Sequence, residues 1–350
     1  MLAAVLREFG KMSLEDVPAP EAGFNEVVVK VKACGICQTD YKAFAGKRDN
    51  VVFPKILGHE PAGIIAKVGP GVKDFREGDE VIVQPAGFCG MCRPCRSGMQ
   101  HCCQNRFTIG GDGGKDVRNG SFAEYVLQNA SAVFHKPKKI SFEAAALTEP
   151  LAGSWKGLIH YSQMRIGEDV VVIGTGGIGM LVLMLARAAG AGNLIAVDIS
   201  KWALDNALKL GATHAINPLE CDVKKAVYEI LPEGPDLVIE AAGPVEAVQM
   251  MFDLCRRATR INLFGITTHE DVKFDGGQTH FLETRMDSSF SVTPLSMINA
   301  IRIIERGLVD PRRIITHRFP LTKINEAMEV MGGANRNKVM IFPDERDAHA

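Results

Sequence analysis

Cys89, Cys92, Cys95 and Cys103 follow the spacing C-x2-C-x2-C-x7-C on a loop that Gly90 and Gly98 leave free to wrap. Four thiolates so placed match a closed tetrahedral zinc site, which holds structure and leaves no position open for a substrate. Cys102 competes by adjacency for the last place. A nucleic-acid-binding zinc module is the alternative use of such a loop. It has only Arg93, Arg96 and nearby Arg106 for charge, however, and no recognition helix.

A second set reads Gly174-Thr175-Gly176-Gly177-Ile178-Gly179, directly after the apolar run Val170 to Ile173 and before a helical pattern. In that context Gly174 permits the tight turn, Gly176 lets the backbone approach a pyrophosphate, and Gly179 lets the helix pack on the strand. Gly177 and Ile178 open the helix whose free N–H groups face the anion. Asp198 ends the next strand, about 20 residues on, where a carboxylate accepts hydrogen bonds from ribose hydroxyls and repels a ribose phosphate. NAD is the expected cofactor, with Lys201 close enough in sequence to be a further contact. The plain structural alternative for Asp198 is a helix cap before Ile199 and Ser200.

The third set is dispersed: Cys37 and Thr39 in Cys34-Gly35-Ile36-Cys37-Gln38-Thr39-Asp40, His59-Glu60 after Gly58, and Glu149 before Pro150. Taken singly, a small buried thiol, a satisfied core histidine and a solvated loop end would explain them.

These residues need elements to position them. The first 150 or so residues read as short strands and turns, with Glu26 to Lys32 rich in valine and Gly78-Asp79-Glu80 leading into Val81 to Val83. From about Asp169 strand and helix alternate: Val170 to Ile173, Gly177 to Ala189, Leu194 to Asp198, Lys201 to Leu210, Leu237 to Ile239 and Arg260 to Phe264. That alternation predicts a parallel, doubly wound sheet. A helical pattern from Ser296 to Gly307, then Ile314 to Phe319 and an amphipathic stretch from Thr322 to Met331, returns to the first domain. The expected domains are 1–150 with about 293–350, carrying the zinc loop 89–103, and about 151–292 for the nucleotide.

With 350 residues the chain has room for two cores. A net charge of −1 gives no broad attraction for nucleic acid or an anionic membrane, so a small-molecule partner is expected. The first charge arrives at Arg7, too early for a signal peptide, and Ile178 to Ala186 is too short to span a bilayer. Nine cysteines, an odd number with four in one cluster, fit a reducing compartment, and the expected location is the cytoplasm.

Together, the zinc loop, the nucleotide fold and the GxCxxD, GHE and Glu-Pro segments resemble the zinc-containing medium-chain dehydrogenase/reductase family along nearly the whole chain. The motifs are closest to the sorbitol, threonine and polyol dehydrogenase branch. The resemblance implies an α/β fold: a Rossmann-type doubly wound parallel sheet plus a beta-rich GroES-like catalytic domain, with substrate in the cleft between them. It implies two zinc ions per chain, one structural and one catalytic, the latter bound by Cys37 and His59. Liver-type members complete that shell with a second cysteine. The matching position here is Glu149, and in the polyol branch either Glu60 or this glutamate completes the shell with water.

The resemblance further implies a homo-oligomer, dimer or tetramer, that moves hydride between an alcohol or ketone substrate and NAD. In this reading Thr39 relays the proton, Asp40 orients His59, and Lys42 stands where many relatives carry a proton-passing histidine. A polyol or sugar-alcohol-like secondary alcohol is the expected substrate, with threonine or an aminocyclitol as the alternative. The branch's Arg-Tyr pair is matched by Ser288-Ser289-Phe290-Ser291, and Ala203 stands where a basic residue often lies near the ribose. Thr316-His317-Arg318-Phe319-Pro320-Leu321 is very similar to the family's domain-returning stretch. A zinc-free quinone-reductase-like protein and a noncatalytic nucleotide binder are the rival functions, and the ligand set argues against both.

Overall fold

The computed structural model describes residues 1–48, 51–111, 116–266 and 271–349. The chain divides into two compact units, Met1–Glu149 with Ser291–Ala350, and Pro150–Phe290.

The first unit is built around the strand Glu26–Ile36, which runs four residues beyond the valine-rich stretch because Ala33, Cys34, Gly35 and Ile36 keep the backbone buried. It pairs antiparallel with Glu60–Val68 on one side and with Lys338–Phe342 on the other. The sheet runs Val133–His135, Glu80–Val83, Glu60–Val68, Glu26–Ile36, Lys338–Phe342, Ile315–Pro320, and Tyr125–Asn129 also pairs with the central strand. The sheet thus places strands from both ends of the chain side by side. Val27, Val29, Val31, Ile65, Phe122, Val339 and Ile341 fill the core.

The helix expected from Ser296 spans Pro294–Glu305. It begins two residues early because Thr293 and Ser296 cap one another, each side-chain oxygen accepting from the other's backbone N–H. Gly307, at φ +70°, lies just beyond its end. The last amphipathic stretch is a 3-10 turn, Leu321–Lys323, followed by the helix Ile324–Gly332.

The second unit contains a six-stranded sheet, ordered His214–Ile216, Leu194–Val197, Val170–Ile173, Leu237–Glu240, Arg260–Leu263, Arg285–Ser288. Every pairing is parallel. Read in chain order this is 3-2-1-4-5-6, the doubly wound arrangement, whose winding reverses between Val170–Ile173 and Leu237–Glu240. The first, second, fourth and fifth strands lie within a residue of the sequence pattern. The third is only three residues long, and the sixth, Arg285–Ser288, is mostly exposed and has no apolar run to betray it. No described helix is long and apolar enough to cross a membrane.

Candidate active site and metal centres

The four loop cysteines converge. Their sulfurs lie within 4.8 Å of one another, with Sγ···Sγ separations of 3.4 Å for Cys92–Cys95, 3.8 Å for Cys92–Cys103 and 3.6 Å for Cys103–Cys89. Four sulfurs about 2.3 Å from one zinc ion stand about 3.8 Å apart, so the donor set fits the ion and no disulfide has formed. Backbone N–H groups of Cys92 and Asn105 point at Cys89 and Cys103 sulfurs, as thiolates require. Donation by Met91 and Cys92 amides lowers the Cys89 pKa to about 6, whereas burial pushes Cys95 up to about 12. Only a cation shared among the sulfurs lets all four ionise together. Cys102, the sequence competitor, is exposed and outside the cluster.

The dispersed set comes together at one end of the central sheet. Cys37 caps the helix Gln38–Phe44, and His59 and Glu60 lie where the strand Glu60–Val68 begins. One ligand atom each of Cys37, His59 and Glu60 falls within 4.8 Å of the others. Asp40 organises them from beneath. Its Oδ2 accepts from the Cys37 N–H at 3.0 Å, and its Oδ1 accepts from the Gly58 N–H at 3.1 Å and meets His59 Nδ1 at 3.2 Å. Burial opposes charge on both side chains, but their mutual attraction prevails, holding Asp40 below the ordinary range and His59 well above. With Nδ1 facing Asp40, Nε2 is the nitrogen left to bind a metal. A thiol, an imidazole and a carboxylate together suit zinc.

Glu60 has a partner that its sequence neighbourhood does not reveal. Lys338 Nζ donates to both its oxygens, at 2.8 and 2.7 Å, and also to the Ile36 carbonyl at 3.3 Å. The side chains are 7% and 1% exposed, so this is a buried ion pair. The two residues belong to strands on opposite sides of Glu26–Ile36, and Gly35 lies opposite Glu60 in the register. A Cβ on Gly35 would stand 2.1 Å from Glu60 Oε2, so only glycine lets the carboxylate reach across the middle strand. Glu149 lies in the first turn of Thr148–Trp155, outside the three-residue group. Burial first, then the Glu60 charge, pushes its pKa up to about 7.

Thr39 and Lys42 lie three positions apart in Gln38–Phe44, hence on one helical face. Neither is buried.

In the second unit the glycine-rich turn links Val170–Ile173 to the helix Gly177–Ala188. Gly174 has φ +87°, and a Cβ there would meet Ala242 at 2.7 Å. Gly176 has open space where its side chain would be, as a close-approaching pyrophosphate requires. Gly179 serves the turn itself more than helix–strand packing, because its Cβ would meet the Gly174 carbonyl at 1.9 Å. Asp198 Oδ2 accepts from the Thr175 N–H at 2.7 Å and its Oγ1 at 3.0 Å, and Oδ1 accepts from the Ser200 N–H at 2.9 Å. The helix cap is Ser200, so Asp198 braces the glycine-rich turn instead. Lys201 is mostly exposed, 3.6 Å from Asp205, and Ala203 is buried.

Comparison with known proteins identifies the family. Residues 23–138 match the alcohol dehydrogenase GroES-like domain and residues 177–306 the zinc-binding dehydrogenase family. The chain is 31% identical to L-threonine 3-dehydrogenase of Pectobacterium carotovorum over 347 residues, 98% of this chain and 99% of the relative. It is 30% identical to sorbitol dehydrogenase of Bacillus subtilis over an alignment of 352 positions that covers 98% of each chain. A Sinorhizobium meliloti structure assigned as a zinc-binding dehydrogenase and bound to NADP superposes with a TM-score of 0.89 at 32% identity, covering 98% of this chain and 99% of that one. The chain belongs to the zinc-dependent, NAD-linked alcohol dehydrogenases of the medium-chain dehydrogenase/reductase family.

Proposed function

We propose that this enzyme oxidises the secondary hydroxyl of a polyol or sugar-alcohol-like substrate, and reduces the matching ketone, with NAD. The observation that carries the site assignment is the convergence of Cys37, His59 and Glu60 above Asp40. Cys37, His59 and one of Glu60 and Glu149 would hold zinc, which would supply Lewis acidity at the alcohol oxygen, and the glycine-rich turn would hold NAD, which would supply the hydride acceptor. Asp40 fixes the imidazole ring of His59 and so keeps Nε2 directed at the metal position. Thr39 relays the hydroxyl proton, accepting it at Oγ1 as its own proton leaves toward Lys42, one turn further along the same face, and from there to solvent. Cys89, Cys92, Cys95 and Cys103 hold the structural zinc. Gly174, Gly176, Gly177, Ile178, Gly179, Asp198 and Lys201 form the dinucleotide site.

The catalytic domain is 1–150 with about 293–350, and the cofactor domain about 151–292. The enzyme works in the cytoplasm as a homodimer or homotetramer. Support for assembly comes from the strand Arg285–Ser288, whose outer edge carries no partner strand among the described residues. Met286 and Phe290 stand exposed there, each at 60%.

Oxidation of threonine is the second reading, favoured by the 31% identity to L-threonine 3-dehydrogenase. A panel of sorbitol and other polyols, aminocyclitols, threonine and simple secondary alcohols, followed by NADH formation, separates the two. The same panel on chelator-treated protein, before and after zinc is restored, tests the metal. Activity that survives complete zinc removal, or none on any secondary alcohol with zinc bound, overturns the proposal.

A further inference from the structure

Glu240 is the last residue of the strand Leu237–Glu240 and is fully buried. It stands at the point where the winding of the parallel sheet reverses, beside Ile173 in the register. Dinucleotides bind in the crevice outside the carboxyl ends of the strands at such a point. A carboxylate costs free energy to bury unless it is hydrogen-bonded, and here the donors are backbone amides of two separate loops. Oε1 accepts from the Ala242 N–H at 2.7 Å and the Gly243 N–H at 2.6 Å, and Oε2 accepts from the Gly265 N–H at 3.2 Å.

Each loop is pressed against its neighbours. A Cβ on Gly265 would lie 2.3 Å from Glu240 Oε2 and 2.5 Å from the Gly243 nitrogen. A Cβ on Gly174, the first glycine of the phosphate-binding turn, would lie 2.7 Å from the Ala242 nitrogen. The Ala241 N–H also donates to the Ile173 carbonyl at 2.8 Å, where the first strand ends. Three loops leaving three adjacent strands are therefore held in one shape, with the Glu240 carboxylate at their centre.

We infer that Glu240 is a positioning residue for the cofactor: its carboxylate fixes residues 241–243 and Gly265 against the glycine-rich turn and so sets dinucleotide affinity. This rests on the reading that the turn binds NAD. Glu240→Gln is the informative change, because the amide keeps one acceptor and turns a donor toward N–H groups that need an acceptor. Glu240→Asp keeps both oxygens. One methylene shorter, it still accepts from the second and third residues on, as aspartate does in local turns, but it no longer reaches Gly265.

The test uses the zinc-loaded full chain and a titration of NADH fluorescence, beside steady-state kinetics. Glu240→Gln is expected to weaken NADH binding and raise the KM for NAD about tenfold, the effect of losing one charge-assisted hydrogen bond. The alcohol KM, and kcat at saturating NAD, should stay within about twofold. Glu240→Asp should fall between, and it carries the same test should the glutamine variant not fold. NADH binding to the parent with unaltered affinity in both variants overturns the inference alone. A rise in the alcohol KM equal to that for NAD, in step with a lower melting temperature, also overturns it by making the residue merely structural. A parent that binds no NADH overturns the NAD reading, and the inference with it.

Discussion

Replacing Lys338 by methionine removes the ammonium group from the buried pair while keeping the bulk of its stem. Glu60 is then left 1% exposed without its counter-charge. Breaking a buried pair from one side costs about 3–5 kcal/mol. For a unit of this size each kcal/mol moves the melting midpoint by about 3 °C, so the zinc-stripped variant should melt about 10 °C below the zinc-stripped parent. With zinc restored, the cation beside Cys37, His59 and Glu60 takes over neutralisation, and the deficit should shrink to about 5 °C or less. Calorimetry is the appropriate assay, because both tryptophans, Trp155 and Trp202, lie in the other unit and fluorescence would miss the transition. The structural zinc is removed from both proteins alike and cancels in the comparison. Equal deficits with and without zinc would refute the reasoning and take Glu60 out of the metal shell, leaving Glu149 to complete it.

Cys92→Ser should lower zinc content by one equivalent per chain and reduce thermal stability, because the cluster loses a ligand shared across 3.4 and 3.8 Å contacts; unchanged metal content would reject the structural site. The parent should show a higher kcat/KM with NAD than with NADP, and Asp198→Ser should narrow that ratio by about tenfold or more by removing a charge that repels the ribose phosphate. An initial preference for NADP would contradict it. Lys42→Met should slow alcohol oxidation and change its pH–rate profile, with zinc retained and the rate partly restored by small amine or imidazole buffers. An unchanged pH–rate profile without rescue assigns the proton path to Thr39 and water.

The order of glycines, strands and helices in the second unit was legible because each signal is local: four apolar residues, a turn of glycines, then a helical period. Val170–Ile173 is read from sequence to the residue. The zinc loop was legible for the same reason, its ligands lying within fifteen residues. Lys338 was not, since a lysine opening a strand ordinarily reads as a solvent-facing residue, and its partner is 278 positions away. Gly35 looked like part of a motif, but its role is steric and depends on the pairing register. Glu240, just past the apolar run Leu237 to Ile239, gave no signal, because its donors are backbone groups, which leave no trace in residue type. The third strand of the parallel sheet is too short for periodicity to show, and the sixth has exposed side chains on both faces.

The placement of Lys338–Phe342 beside Glu26–Ile36 bears on how the protein is made. A ribosome adding about 5–20 residues per second reaches Lys338 tens of seconds after Glu60. Throughout that interval the growing chain carries an acidic group destined for burial, an open sheet edge at residues 34–36, and the cysteine and histidine that accompany them. The segment Pro150–Phe290 is continuous and can fold on emergence, whereas the first unit must wait until its second segment, from Ser291 onward, has been made. Translation pauses or truncation near the C-terminus therefore threaten the metal site first, although none of its expected ligands lies there.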